Sequence, residues 1–265
     1  MSGVFGAGVV TELEAADVYD KIEAIYACSA GAFNAAYFLA RDSELGSSIY
    51  WEDLTYGRFV NFKRILQRKP NGVDINYLMD VSQTTKRLNV EAIQKQPIPF
   101  FVKLLNNETG EVKYHNGKEE TYSKLKSATS IFPFYWNNGQ SFIDAGIREP
   151  IGLEYLIKQH PESRIVVVIN HQPRLTVAYV LDSYVSGIIA QMMRTDLPFF
   201  RYFREKVVSY KRDVEKALWD ERVCLIYPPR ENQTRPFTTN REKLLESHRM
   251  GRQEAERILM LVRNF

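Results

Sequence analysis

The chain alternates between two spacings of apolar residues. Val9, Val10, Leu13 and Ala16 recur at helical intervals and predict a helix over residues 4–19. Residues 22–28 are apolar except for Glu23 and short enough for a buried strand. Residues 30–40 are alanine-rich and apolar on all sides, which predicts a buried helix. Ser29 stands at the sharp turn between that strand and that helix. Further on, residues 98–105 and 111–115 predict a hairpin about a turn at 106–110, and residues 141–143 a strand ending at Asp144 after a turn at 137–140. Short helices are expected at 74–81, 90–94 and 122–129, and another at 150–159 with Pro150 in its first turn. Residues 164–170 hold five apolar residues in a row, mostly valine and isoleucine, the composition of a parallel strand. Helices at 178–193 and 197–218, a strand at 222–227 stopped by Pro228 and Pro229, and a helix at 241–263 complete the chain.

Two stretches leave a choice. Residues 41–72 read as a polar and aromatic excursion with Gly46, Gly57 and a turn at 69–72. Its Tyr50, Trp51, Tyr56, Phe59 and Phe62 either line an acyl pocket or form a satellite core, the commoner arrangement under a long loop. The helix at 197–218 sets Phe199, Phe200, Tyr202, Phe203, Val207, Val208 and Tyr210 against Arg201, Arg204, Lys206, Lys211 and Arg212. Such a helix suits a lipid surface or the protein's own core, and docking on the core is the expectation.

Strands alternating with helices place the chain in the α/β class, and 265 residues suit one α/β domain with a sizeable core. Hydrophobic content of 45% and charged content of 25% are ordinary for a globular protein. A net charge of +3 with a pI near 8.7 helps at an anionic surface but is far from a nucleic-acid-binding signature. Cys28 and Cys224 sit in apolar strand-like runs and read as buried free thiols of a reducing compartment, so a cytoplasmic location is expected, with peripheral contact at a membrane allowed. Residues 3–8 lack the G-K-[ST] ending of a phosphate loop. Neither a metal nor a cofactor is implied; calcium would need clustered carboxylate and carbonyl ligands.

A serine at a strand-to-helix turn suits nucleophilic chemistry, because the turn pushes the side chain out over the sheet edge. The helix behind it presents free N–H groups and a positive dipole end to a developing oxyanion. The flanking residues of such a turn are small, here Ala27 and Gly31. The alternative is a serine that merely caps a helix. Asp144 is placed for a catalytic carboxylate, or equally to open a turn. His115, His160, His171 and His248 are scattered; only His171, just past a strand, fits the order Ser, Asp, His.

Taken together, Gly3-x-x-x-x-Gly8-Val9-Val10-x-x-Leu13, then Cys28-Ser29-Ala30-Gly31-Ala32-x-Asn34-Ala35-Ala36, then Phe142-Ile143-Asp144-Ala145-Gly146 and Pro150, resemble the patatin-like phospholipases. The resemblance implies a three-layer α/β fold with a mostly parallel central sheet flanked by helices. The core would span 1–170, with a helical extension carrying one strand at 171–265. It implies a Ser29–Asp144 dyad, oxyanion donors at Gly3 and Ala30, and a lipid or other acyl ester as substrate, with no nucleic acid. In the family, the segment at 131–136 sits beside the site. Three departures stand out: Ala27 replaces the first glycine of the G-x-S-x-G turn, Ala145 replaces a glycine after the aspartate, and the glycines expected before Gly3 are missing. The last, with Gly3 and Gly8 at the family spacing of a helix that follows a loop, leads us to expect that Met1 is internal to a longer frame, with an apolar strand and two or three glycines upstream. All three also support an alternative, a patatin-like module that binds lipid without turnover.

Overall fold

The computed structural model describes residues 1–55, 57–61, 63, 72–130, 135, 141–193 and 197–263. Helix α1 (Val4–Ala15) leads through a 3-10 turn to β1 (Ile25–Ala27), α2 (Ala30–Leu39) and α3 (Ser43–Glu52). Then follow α4 (Ile75–Gln83), α5 (Val90–Lys95), β2 (Phe100–Asn106), β3 (Val112–Asn116), α6 (Thr121–Ala128) and β4 (Phe142–Asp144). The chain continues through α7 (Leu153–Gln159), β5 (Ile165–Val168), α8 (Val177–Met193), α9 (Phe199–Trp219), β6 (Val223–Ile226) and α10 (Arg241–Arg263). This is the α/β architecture expected of a patatin-like fold. The described strands form two sheets. β2 pairs in parallel with β1 and antiparallel with β3 and β4, and β5 pairs in parallel with β6.

The main core lies between α2 and the first sheet, where Phe33, Phe38 and Leu39 meet Phe100, Val102 and Leu104. A second cluster joins Leu105, Ile143, Ala145 and Ile147 to Phe199, Tyr202 and Phe203 of α9. The amphipathic helix therefore docks on its own core, as expected. α1 and α10 cross so closely that their backbones touch. A Cβ on Gly8 would lie 2.0 Å from the His248 carbonyl oxygen, and one on Gly251 2.0 Å from that of Phe5.

Several expectations need correction. α1 is buried through its first two turns rather than along one stripe, because α2, α3 and α10 surround it, and Ala16 is exposed beyond its end. The 41–72 excursion contains a helix, α3, which its polar composition concealed. Ser43, Ser47 and Ser48 face inward, and Gly46 lies where a Cβ would come within 2.3 Å of the Tyr37 ring, so small residues let α3 lie on α2. Of the aromatic residues there, Tyr50, Trp51 and Phe59 are buried in the core, the commoner of the two arrangements weighed for them and no correction. α7 begins at Leu153, not Pro150, because Gly152 turns the chain at φ +80° and donates its N–H to Asp213 Oδ2 at 2.8 Å. Tyr56, Phe62, the turn at 69–71, the apolar residues at 131–134 and 136, and the turn at 137–140 lie outside the described residues. Among the described residues no helix is long and apolar enough to cross a membrane.

Candidate active site

The sheet register brings Ser29 and Asp144 together. β1 runs parallel along one edge of β2 and ends with Ala27 opposite Val102. β4 runs antiparallel along the same edge and ends with Asp144 opposite Leu104. β3 occupies the other edge. The two strand ends therefore meet head-on across Lys103, and the residues just past Ala27 face the carboxylate that ends β4. Lys103 is fully buried there, its Nζ held by the Glu149 carbonyl and 3.7 Å from Glu149 Oε2.

Ser29 has φ +54° and ψ −137°, a conformation that L side chains rarely adopt and that costs roughly 1–3 kcal/mol where the fold enforces it. It precedes α2 yet makes no side-chain capping bond. Its hydroxyl lies close enough to the Asp144 carboxylate to favour the ionised form instead, so the capping alternative is set aside. Asp144 is buried and its Oδ1 accepts the Gly146 N–H at 2.8 Å and the Cys28 thiol at 3.3 Å. Burial pushes its carboxyl above the ordinary aspartate value, against the nearby Ser29 hydroxyl, the bonds from Gly146 and Cys28 and the positive charge of Lys206. Cys28 is a neutral donor, because burial and then the Asp144 charge push its thiol up.

The N-termini of α1 and α2 converge beside Ser29. A Cβ on Gly3 would lie 2.6 Å from both Ala30 Cβ and the Tyr50 hydroxyl, so only glycine allows this approach. Asn34 Nδ2 donates to the Gly3 carbonyl at 2.9 Å, and Tyr50 donates to Asn34 Oδ1 at 3.1 Å. The Gly6 N–H donates to Asn170 Oδ1 at 2.9 Å, which ties α1 to the end of β5. The Val4 and Phe5 N–H groups donate to the Met1 and Ser2 carbonyls, and those of Gly31 and Ala32 to Cys28 and Ser29. Ala27 packs in the main core and Ala145 in the second cluster, so both departures from glycine fill apolar space. Among the described residues Gly31 has nothing within 4 Å of a Cβ position, so none of them demands the small residue expected there.

None of the four histidines, among the described residues, is hydrogen-bonded to Ser29 or Asp144. His171 Nδ1 lies 3.2 Å from the Tyr210 hydroxyl, and its ring packs on Tyr179 and Tyr210. Burial, aided by Lys206, lowers its pKa to about 4. Two residues near Asp144 were not legible as site residues in the sequence. One is Cys28. The other is Lys206, whose Nζ stands 5.0 Å from the Tyr179 ring centroid and 5.7 Å from that of Phe203. Its only signal was its place three residues after Phe203 on the aromatic side of the helix. An open groove of about 980 Å³ runs between β3 and α9, past Tyr114, Arg148 and Arg212; Ser29 and Asp144 do not line it.

Among known proteins, the family model described as patatin-like phospholipase matches residues 1–157. No curated protein matches the chain.

Proposed function

The chain belongs to the patatin-like phospholipase family, and from that premise we propose that it is a serine acyl hydrolase working through a Ser29–Asp144 dyad on a fatty acyl ester of a phospholipid or related lipid. Asp144 takes the proton of the Ser29 hydroxyl as its Oγ attacks the ester carbonyl carbon. Charge develops on the carbonyl oxygen, and the N–H groups of Gly3 and Ala30, at the ends of two helix dipoles beside Ser29, are the donors this reading assigns to it. Collapse breaks the ester C–O bond, Asp144 returns the proton to the departing alcohol, and the acyl group stays on Ser29. Water, deprotonated by Asp144, then attacks the acyl-enzyme and releases the fatty acid. The observation that carries this reading is a strained, non-capping serine just past the end of β1, where that strand meets head-on the buried carboxylate that ends β4.

A fluorophosphonate probe should label the full chain at Ser29 alone, read by mass spectrometry of the tryptic peptides. Equal labelling of the Ser29→Ala variant would remove the nucleophile from this serine.

The pH dependence has a definite sign. The base works only when ionised, so kcat/KM falls as pH drops through the Asp144 pKa. Since burial raises that pKa, the acid limb for a short-chain nitrophenyl ester should lie above the ordinary aspartate value of about 3.9. A limb at or below that value would argue against Asp144 as the base.

A further inference from the structure

Helix α8 is turned inside out. Val177, Leu181, Val185, Ile188, Ile189 and Met192 are 43–77% exposed. At helical spacing they fall within an arc of about 120°. The opposite face is small or polar yet buried: Ser183, Ser186 and Ala190 face inward, and Gly187 comes so close to α9 that a Cβ would lie 2.9 Å from Phe203 Cβ. Asp182 is the one charged residue in the 17 of this helix. The apolar surface continues onto α9, where the Phe200 ring lies 5.9 Å from that of Tyr184 and Val208 is 64% exposed. Between Phe200 and Val208, on the same helix face, stands Arg204. Arg204 and Arg174, three residues before α8, are exposed and have no carboxylate partner among the described residues.

The inward face of α8, opposite the stripe, reaches toward the candidate site. The first turn of α8 packs Tyr179 against His171 and over the Lys206 ammonium, whose charge acts on Asp144. We propose that the outward face of α8, with Phe200 and Val208 of α9, rests on an anionic phospholipid bilayer, the apolar side chains entering the acyl boundary and Arg174 and Arg204 meeting lipid phosphates.

Charge favours this occupant over a second copy of the chain. In a two-fold contact of this face with itself the arginines of one copy would meet those of the other, whereas an anionic bilayer offers them phosphates. An interfacial helix needs only a shallow apolar face, about 5–10 Å deep, beside cationic side chains. Bilayer docking concerns binding alone and stands whether or not Ser29 turns over substrate.

The test is co-sedimentation of the full chain with vesicles of phosphatidylglycerol and phosphatidylcholine, against phosphatidylcholine alone. The chain should pellet with the anionic vesicles and be released by salt. A Leu181→Gln, Val185→Gln, Ile188→Gln variant should lose binding at least about tenfold with its melting temperature kept. An Arg174→Gln, Arg204→Gln variant should lose the preference for anionic lipid, and it decides the matter should the triple variant fail to fold. Three results overturn the proposal: no pelleting of the parent chain with anionic vesicles, equal pelleting of both variants, or a dimer in gel filtration that the triple variant converts to monomer.

Discussion

Asp144→Asn is expected to lower kcat for ester hydrolysis by about 10²–10⁴-fold, the usual contribution of a positioned general base, while leaving the fold intact. The amide oxygen can still accept the Gly146 N–H that Asp144 Oδ1 now accepts at 2.8 Å, so the turn after β4 keeps its anchor. What the amide cannot do is take the proton of Ser29. The side chain is buried and its carboxyl already titrates high, so removing its charge does not leave an unpaired ion in the core. The informative control is His171→Ala. Tyr210 would lose one neighbour but keep its bond to the Gln172 carbonyl at 3.0 Å, so both activity and melting temperature should change little. Steady-state kinetics with a short-chain nitrophenyl ester, alongside thermal unfolding, read both variants. An inactive His171→Ala beside a largely active Asp144→Asn would replace the dyad with a histidine-based mechanism.

Gly251→Ala carries the largest expected effect on stability. In an isolated helix this change would be favourable by about 1 kcal/mol, since alanine is the better helix former. Here the new Cβ would sit 2.0 Å from the Phe5 carbonyl oxygen, a backbone atom that cannot rotate away. α1 and α10 would have to separate, opening the contacts of Phe5 and Val9 with Ala255 and Ile258 and disturbing the Arg252–Glu12 pair at 2.8 Å. Overpacking of this kind costs about 1–3 kcal/mol and occasionally more, so the melting temperature should fall by roughly 5–10 °C. Gly31→Ala in α2 is the matched comparison. Its Cβ would meet nothing within 4 Å among the described residues, so the intrinsic preference should prevail and the melting temperature hold or rise. If both variants behaved alike, the close crossing of α1 and α10 would not hold in solution.

The sequence by itself determined the type and order of most elements, because the spacing of apolar residues is a local property. The α/β alternation, the hairpin of β2 and β3, the strand at β5 and the three long C-terminal helices were all legible from it. So was the position of Ser29 at a strand-to-helix turn, since a short apolar run beside an alanine-rich one marks that junction. Only the tertiary structure decided what Ser29 faces. Its approach to Asp144 depends on two strands ending head-on along one edge of β2, a register between residues far apart in the chain. The same holds for Lys206, which reads as one more cation of a basic helix until Tyr179 closes over it. α3 was missed because its serines and Gly46 are polar or small and are buried only through the close approach of α2. The outward face of α8 was hidden for the opposite reason. A helix apolar almost throughout gives no local sign of which side the fold will cover, and here α9 covers the side with the small residues, where the backbones can approach.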